Sequence, residues 1–347
     1  MARVTITDVA RRAGVSVAST SRALNGLVAS AETVQKVREA AAELGYTADA
    51  TARSLKLGRT QQLAYAVDDI GNPVYVEMMR AIEQVVAASD YRLVISSTGD
   101  AAATLELVRS LGRGFVDGMV LSPLRVTPEL EAAIAAAPVP VVILGRLADT
   151  ASVDTVRADS ARGMELVVGH LVDEGRRRLA FINGPVDTTP GQFRHDGFRR
   201  AVAASPSVSA VEITVADFTI AEGYRAAVEL LGDSAGEIDA VVAANDLIGI
   251  GVLHAADDLG LRVPEDIAIT GVDDTELAQV SRPSLTSVDL GAAERGRVAA
   301  ELLLARIAQP QRPVHTVTVA PALRVRDSTV LRAARPVRFD TRGEASA

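Results

Sequence analysis

The stretch TITDVARRAGVSVASTSRALNG, residues 5–26, decides how the chain begins. Thr5 can cap a helix over Ile6–Ala13, and Gly14 breaks it. Ser16 can cap a second helix running to about Asn25, where Gly26 stops it. Two short helices joined by a glycine turn form the helix-turn-helix pattern. The next stretch, SAETVQKVREAAAELGY (residues 30–46), predicts a third helix over Ala31–Leu44, capped by Ser30 and stopped by Gly45. Val34, Val37, Ala41 and Leu44 recur at helical spacing and give that helix one apolar face.

On a helical wheel of about 100° per residue, Val17, Ala18, Ser21, Arg22 and Asn25 fall on one side of the second helix. Ser16, Thr20, Ala23 and Leu24 fall on the other. The second set is expected to pack inward, leaving the first free to enter a groove. Arg22 is the residue of that face able to fork onto guanine O6 and N7, and Val17 and Ala18 can touch thymine methyl groups. Ser16, Ser19, Asn25 and Thr33 are short polar groups suited to phosphates. Thr5 and Ser21 complete the candidate DNA-contacting set. A small helical bundle with a solvated face remains the bland alternative to this geometry.

After residue 60 the texture changes. Eight apolar runs read as strands: Leu63–Val67, Leu93–Ser97, Gly118–Ser122, Val139–Leu144, Leu179–Ile182, Val211–Val215, Ala240–Ala243 and Ile267–Gly271. Helical patterns separate most of them, which predicts parallel sheets built from βαβ units. The region is too long for one compact sheet and is expected to form two lobes. The predicted organisation is therefore a small all-α head (1–46), a linker (47–60), a two-lobed α/β body (61–330) and a frayed tail (331–347). Open sheets bind ligands beyond the carboxyl ends of their strands, and Asp69, Arg146, Asn245 and Asp273 follow such ends. Asn72 is placed to cap the helix that Pro73 begins, with Tyr75 facing the cleft.

Composition narrows the function. Of 347 residues, 48% are hydrophobic, which excludes a disordered chain. There is no cysteine and the four histidines are scattered, so thiolate chemistry is excluded and no local zinc motif exists. No metal and no cofactor are expected. No apolar run reaches the roughly 18 residues of a membrane span, and MARVTITDVA lacks an apolar signal core, so no membrane partner and a cytoplasmic location are expected. No Walker loop and no G-x-S-x-G elbow appear, and Gly249-Ile-Gly251 lacks the third glycine of a dinucleotide loop. The acid pairs Asp68–Asp69, Asp257–Asp258 and Asp273–Asp274 are sequence neighbours, whose side chains usually diverge. An enzyme is not expected. A solute-binding protein without a regulatory role is the rival reading for the large region alone.

The segments at residues 5–26 and 30–46, followed by ARSL (52–55), resemble the N-terminal signature of LacI/GalR-type transcriptional regulators. That resemblance assigns Val17 and Ala18 to selecting operator sequence and Arg22 to reading guanine. It assigns Leu55 to wedging the minor groove at the operator centre. The rest of the chain resembles the family's effector domain, which is periplasmic-binding-protein-like. The matches DDIGNPVYVEMMRAIE, VDGMVLSP, VRADSARG, INGP, QFRHDGFRRA, VVAANDLIGIGVL, ITGVDDTELA and RPSLTSV fall in the family's order. By the same resemblance Arg194, Asn245 and Asp273 hydrogen-bond effector hydroxyls, and Phe218 lies against a sugar ring. Asn245 and Asp273 can equally cap the helices that follow them, and Arg146 can tie loops together. The function implied is a repressor that binds a palindromic double-stranded operator as a homodimer. A small effector, a sugar or sugar derivative, would control it.

The sequence departs from the family in four places. Ser19-Thr20 replaces Thr-Val, and the Thr20 hydroxyl can bond back to the Ser16 carbonyl. The hinge reads Tyr46-Thr47-Ala48-Asp49 rather than Tyr-x-Pro-Asn; Asp49 either approaches phosphate or caps the hinge helix. Gly145 precedes Arg146 where the family often has Asp, and Leu290 stands where it often has Gln, so a less hydroxylated effector is expected. The net charge of −8 taken whole argues against DNA, but it is unevenly spread. Residues 1–59 hold nine Lys/Arg against five acids, a net of +4, so the remainder carries −12. A basic head joined to an acidic body favours modest, salt-sensitive non-specific affinity.

Overall fold

A computed structural model describes residues 4–24, 28–46, 59–147, 152–233 and 237–330. The chain divides into two compact units, Met1–Gln61 and Gln62–Ala347. Asn25, the segment from Thr47 to Gly58 with Asp49 and Leu55, and the tail 331–347 lie outside the described residues.

The first unit holds α1 (Ile6–Ala13), α2 (Val17–Leu24) and α3 (Ala31–Glu43). The Asp8 carboxylate accepts from both the backbone N–H (3.0 Å) and the hydroxyl (2.7 Å) of Thr5, fixing the start of α1. Gly14 ends it at φ +67°, a conformation that disfavours any side chain, and so sets the turn into α2. Ser16 Oγ accepts from Ser19 N at the head of α2, and Ser30 Oγ accepts from Thr33 N at the head of α3. The core is small: Val9, Ala23, Val37 and Ala40, with Val15, Leu24, Val34, Ala41 and Leu44 packed around them. Alanines at these positions let three short helices approach closely.

The second unit runs β1 (Gln62–Val67), α4 (Pro73–Ala87), β2 (Arg92–Ser97), α5 (Ala101–Ser110), β3 (Gly118–Ser122), α6 (Pro128–Ala135), β4 (Val141–Leu144) and β5 (Thr155–Ala158). It continues α7 (Ser160–Asp173), β6 (Arg178–Asn183), α8 (Thr189–Ala203), β7 (Ser209–Thr214), α9 (Ile220–Asp233), β8 (Ala240–Ala243), α10 (Asp246–Asp258) and β9 (Ala268–Val272). It closes with α11 (Glu276–Val280), β10 (Thr286–Asp289), α12 (Ala292–Ala308), β11 (Thr316–Val319) and β12 (Ala322–Arg324). Two six-stranded sheets result, ordered β11-β5-β4-β3-β1-β2 and β12-β10-β9-β8-β6-β7. All their pairings are parallel except β10 with β12.

The eight expected strands are present with ends shifted by up to two residues. Four more, β5, β10, β11 and β12, were not expected; each has only three or four residues, β11 and β12 are edge strands, and β5 and β10 lie next to them. They matter because they carry the crossings. The chain passes between sheets after β5, after β10 and after β11, so each lobe contains a piece of distant sequence. In the first sheet, Leu63, Tyr65 and Val67 face the layer formed by α4 and α12, whereas Ala64 and Ala66 face Val108, Leu130 and Ile134. This alternation covers both faces, as a parallel sheet requires. The second lobe centres on Phe181 stacked on Phe198, ring centroids 4.6 Å apart. The lobes also touch directly: Thr189 N donates to Leu124 O (2.9 Å), and Arg125 Nε meets Asp187 Oδ2 at 2.7 Å.

Candidate functional site

In the head, the outer face of α2 is largely as the wheel suggests. Val17 is 43% exposed, Ala18 and Arg22 are exposed, and Thr20 and Ala23 are buried. Ser21 is a correction: expected on the outward face beside Arg22, it is buried. The reason is that α2 is held on both flanks, by α1 and α3, so its buried arc is wider than one side of a wheel. Ser16, expected inward, is exposed because its hydroxyl caps the helix. The Thr20 hydroxyl donates to the Ser16 carbonyl at 3.0 Å, which satisfies it in the core. Thr5 is exposed, while Ser19 and Thr33 are half-buried. Their hydroxyls lie 2.9 Å from Ser16 Oγ and 2.8 Å from Ser30 Oγ, respectively. Val17, Ala18 and Arg22 thus form one exposed strip along a helix, with hydroxyls clustered at helix starts.

In the body, a cavity of about 150 Å³ lies between the two lobes at the carboxyl ends of their strands. It is small beside the roughly 300–1,000 Å³ of drug-sized pockets. All eight expected effector residues line it: Asp69, Asn72, Tyr75 and Arg146 from the first lobe, and Arg194, Phe218, Asn245 and Asp273 from the second. The two departures, Gly145 and Leu290, line it as well.

The polar floor is built from α8 and the β9–α11 turn. Arg194 donates through Nη2 to Asp273 Oδ1 (3.0 Å) and through Nη1 to the Ala244 carbonyl (2.6 Å). Both side chains are less than a tenth exposed. Burial pushes the Asp273 carboxyl up, and the Arg194 and Arg295 guanidiniums oppose that shift. Asp273 holds φ +107°, a strained backbone for a non-glycine residue. Asn245 takes the capping role: its Oδ1 accepts from Ile248 N (2.9 Å), and its Nδ2 donates to the Phe218 carbonyl (3.2 Å). It thereby fixes Phe218, which is buried against Gly184. A Cβ on Gly184 would fall 2.3 Å from that ring, so only glycine leaves room for it. Asn72 caps α4 through Val74 N. Asp69 is exposed and accepts from Gly71 N (2.7 Å), holding the turn before that helix. Burial raises the Tyr75 hydroxyl and keeps it protonated.

Among the lining residues that sequence reasoning missed, Phe193, Asp68, Arg157 and Arg295 stand out. Phe193 stacks under the Arg146 guanidinium, 4.4 Å from ring centroid to Cζ. Its signal was present, since Pro190, Phe193 and Arg194 share one face of α8. Asp68 is buried, accepts from Leu124 N and has its carboxyl pushed up by burial. Arg157 comes from β5. Arg295 comes from α12 and is 8% exposed; it interrupts the stripe Ala292, Gly296, Ala299 that buries the helix. That interruption was its signal. Histidines play no part here: His195 bridges to Glu212 at 2.9 Å, away from the cavity lining. Among the described residues no group of three or more His, Cys, Asp or Glu could hold a metal, and no helix is long and apolar enough to cross a membrane.

A helix-turn-helix head followed by a two-lobed α/β body with a polar interlobe cavity defines a ligand-responsive DNA-binding regulator. Family comparison agrees at both ends. Residues 5–49 match the bacterial regulatory proteins of the lacI family, and residues 168–329 match the periplasmic binding protein-like domain. The chain is 34% identical over 330 residues to the ribose operon repressor of Escherichia coli K12, covering 93% of this chain and 99% of that one. It is 32% identical over 328 residues to the ribose operon repressor of Haemophilus influenzae, covering 93% and 98%. The solved lac repressor dimer, bound to operator and the anti-inducer ONPF, superposes with a TM-score of 0.86 at 25% identity, covering 95% of this chain and all of that one. The chain belongs to the LacI family of transcriptional regulators. It is a DNA-binding repressor controlled by a small effector, and not an enzyme.

Proposed function

We propose that the protein represses sugar-utilisation genes in the cytoplasm, binding a palindromic operator as a homodimer and answering to a small polyhydroxylated effector. The observation carrying this reading is the convergence of Arg194, Asp273, Asn245 and Phe218 on one cavity between the lobes. Arginine, aspartate and tyrosine there offer both donors and acceptors, which a polyol needs. A missing hydroxyl would leave a buried polar group unpaired, which makes such a site discriminating. The similarity to ribose operon repressors supports a sugar.

In the head, Arg22 reads a guanine, Val17 and Ala18 touch thymine methyls, and Thr5, Ser16, Ser19 and Thr33 meet phosphates. Ser21, being buried, contributes packing. One such head reads few base pairs, and a dimer doubles the site. Residues 47–60 act as the hinge, with Leu55 as its minor-groove wedge. Closure of the lobes on the effector changes the spacing of the two hinges. Isothermal titration of full-length protein with neutral and derivatised sugars tests the effector half. Binding at micromolar to millimolar levels, abolished in Arg194→Ala, supports it; silence for every sugar and sugar derivative refutes it.

A further inference from the structure

Arg295 lines the cavity from α12 and is more than nine-tenths buried, and its side chain makes no hydrogen bond or ion pair with any described residue. Its Nε is buried without a partner. A guanidinium has five N–H donors, no acceptor and a permanent charge. Burying it without an anion is costly, and burial pulls its affinity for the proton down.

The carboxylates around the cavity are otherwise engaged. Asp273, the acid that acts on Arg295 most strongly, already accepts from Arg194. Two guanidiniums therefore face one carboxylate at the floor. Asp68 is held by Leu124 N, Asp69 by Gly71 N and Asp217 by Phe218 N. Besides Asp273, the oxygens that act on Arg295 are the neutral hydroxyls of Tyr65 and Tyr75. Arg295 therefore has no carboxylate partner of its own, although Asp68, Asp69, Asp217 and Asp273 match the four lining arginines in number, and a neutral sugar would offer it only hydroxyls.

We propose that the effector carries an anionic group, a carboxylate or phosphate on a small polyhydroxylated molecule, and that Arg295 receives it. This rests on the reading of the cavity as the effector site and adds the charge class of its ligand. Two N–H groups of Arg295 can take two oxygens of the anion in parallel, a geometry that a hydroxyl does not reproduce. Leu290 and Gly145 fit the same ligand. They remove an amide and an acid from the cavity, leaving fewer partners for hydroxyls and no added repulsion for an anion.

The test uses the full-length protein and calorimetry. D-Ribose, D-glucose and D-galactose are each compared as the neutral sugar, as the corresponding sugar acid and as the phosphate monoester. The expected result is that at least one acid or phosphate binds tenfold or more tightly than its parent sugar. The two arms identify which anion is used. In Arg295→Leu that ratio should fall towards one, and Arg295→Lys should keep part of it. Neutral sugars that bind as tightly as their anions would overturn the anion proposal and leave the sugar-regulator reading standing. So would an anion preference unchanged in Arg295→Leu. Silence from all nine compounds would overturn both. The wild-type ratio decides the matter even if the leucine variant folds poorly.

Discussion

The head and the cavity solve recognition in opposite ways. In the head the reading residues are exposed, come from one eight-residue helix and are held by caps within four positions of themselves. In the cavity the polar groups are buried and come from elements on both sides of three chain crossings. They are held by bonds such as Arg194–Asp273, 79 residues apart in sequence. Exposed groups lose little on being left unpaired, so the head can sample many DNA sequences cheaply. Buried groups are expensive to leave unpaired, so the cavity should choose its ligand strictly.

Removing residues 1–61 should separate the two most completely. Specific DNA binding, followed by fluorescence anisotropy, should disappear, while calorimetric effector binding persists. Retained specific DNA binding would erase the distinction. Next in size is Arg194→Ala, which breaks the buried hydrogen-bonded pair with Asp273 and leaves that carboxylate only the pull of Arg295. Breaking a buried pair costs about 3–5 kcal/mol, so urea unfolding should show a loss of that order together with loss of effector binding. A loss below about 1 kcal/mol would mean that water already pairs with the carboxylate.

Arg22→Ala belongs to the exposed region and should cost about 1–3 kcal/mol of operator affinity, relaxing selection at one base position without changing the melting temperature. Uniform weakening across all sequences would make Arg22 a phosphate contact instead. A pH dependence is expected as well, with an upper limit of about 4 kcal/mol between pH 4 and 7. Burial pushes the Asp246 carboxyl up to about 7, with Asp273 adding to the shift and bonds from Ser287 and Thr275 opposing it. Ionisation is thus harder in the fold than in the unfolded chain. The contribution of Asp246 to stability should be greatest near pH 4, fall by up to about 1.4 kcal/mol per unit towards pH 7, and level off above. Asp246→Asn should flatten that contribution, as measured by urea unfolding across the range.

The same contrast explains what the sequence made legible. The head is local, so caps at Thr5, Ser16 and Ser30 and the break at Gly14 are readable from order alone. Ser21 was misjudged because a wheel assumes one packing partner and α2 has two. In the body, strand-and-helix texture revealed the sheets, but β5 (TVRA) and β11 (TVTV) carry polar residues and do not stand out as apolar runs, unlike the equally short β4 (VVIL) and β8 (AVVA). Family resemblance pointed to Arg194, Phe218, Asn245 and Asp273. Arg295 showed only as a charge within the apolar stripe of α12, and Arg157 showed no such sign; the chain crossings, which local pattern does not reveal, bring both to the cavity.

The central claim is that the cavity governs the head. Selection of bound sequences from random DNA, followed by operator titration with and without the tightest-binding sugar or sugar anion, tests it most directly. The account predicts one palindromic consensus and a change in operator affinity of about 5–150-fold on ligand binding, lost in Asp273→Ala. An unstructured sequence pool, or a ligand that binds while operator affinity stays constant, would contradict it.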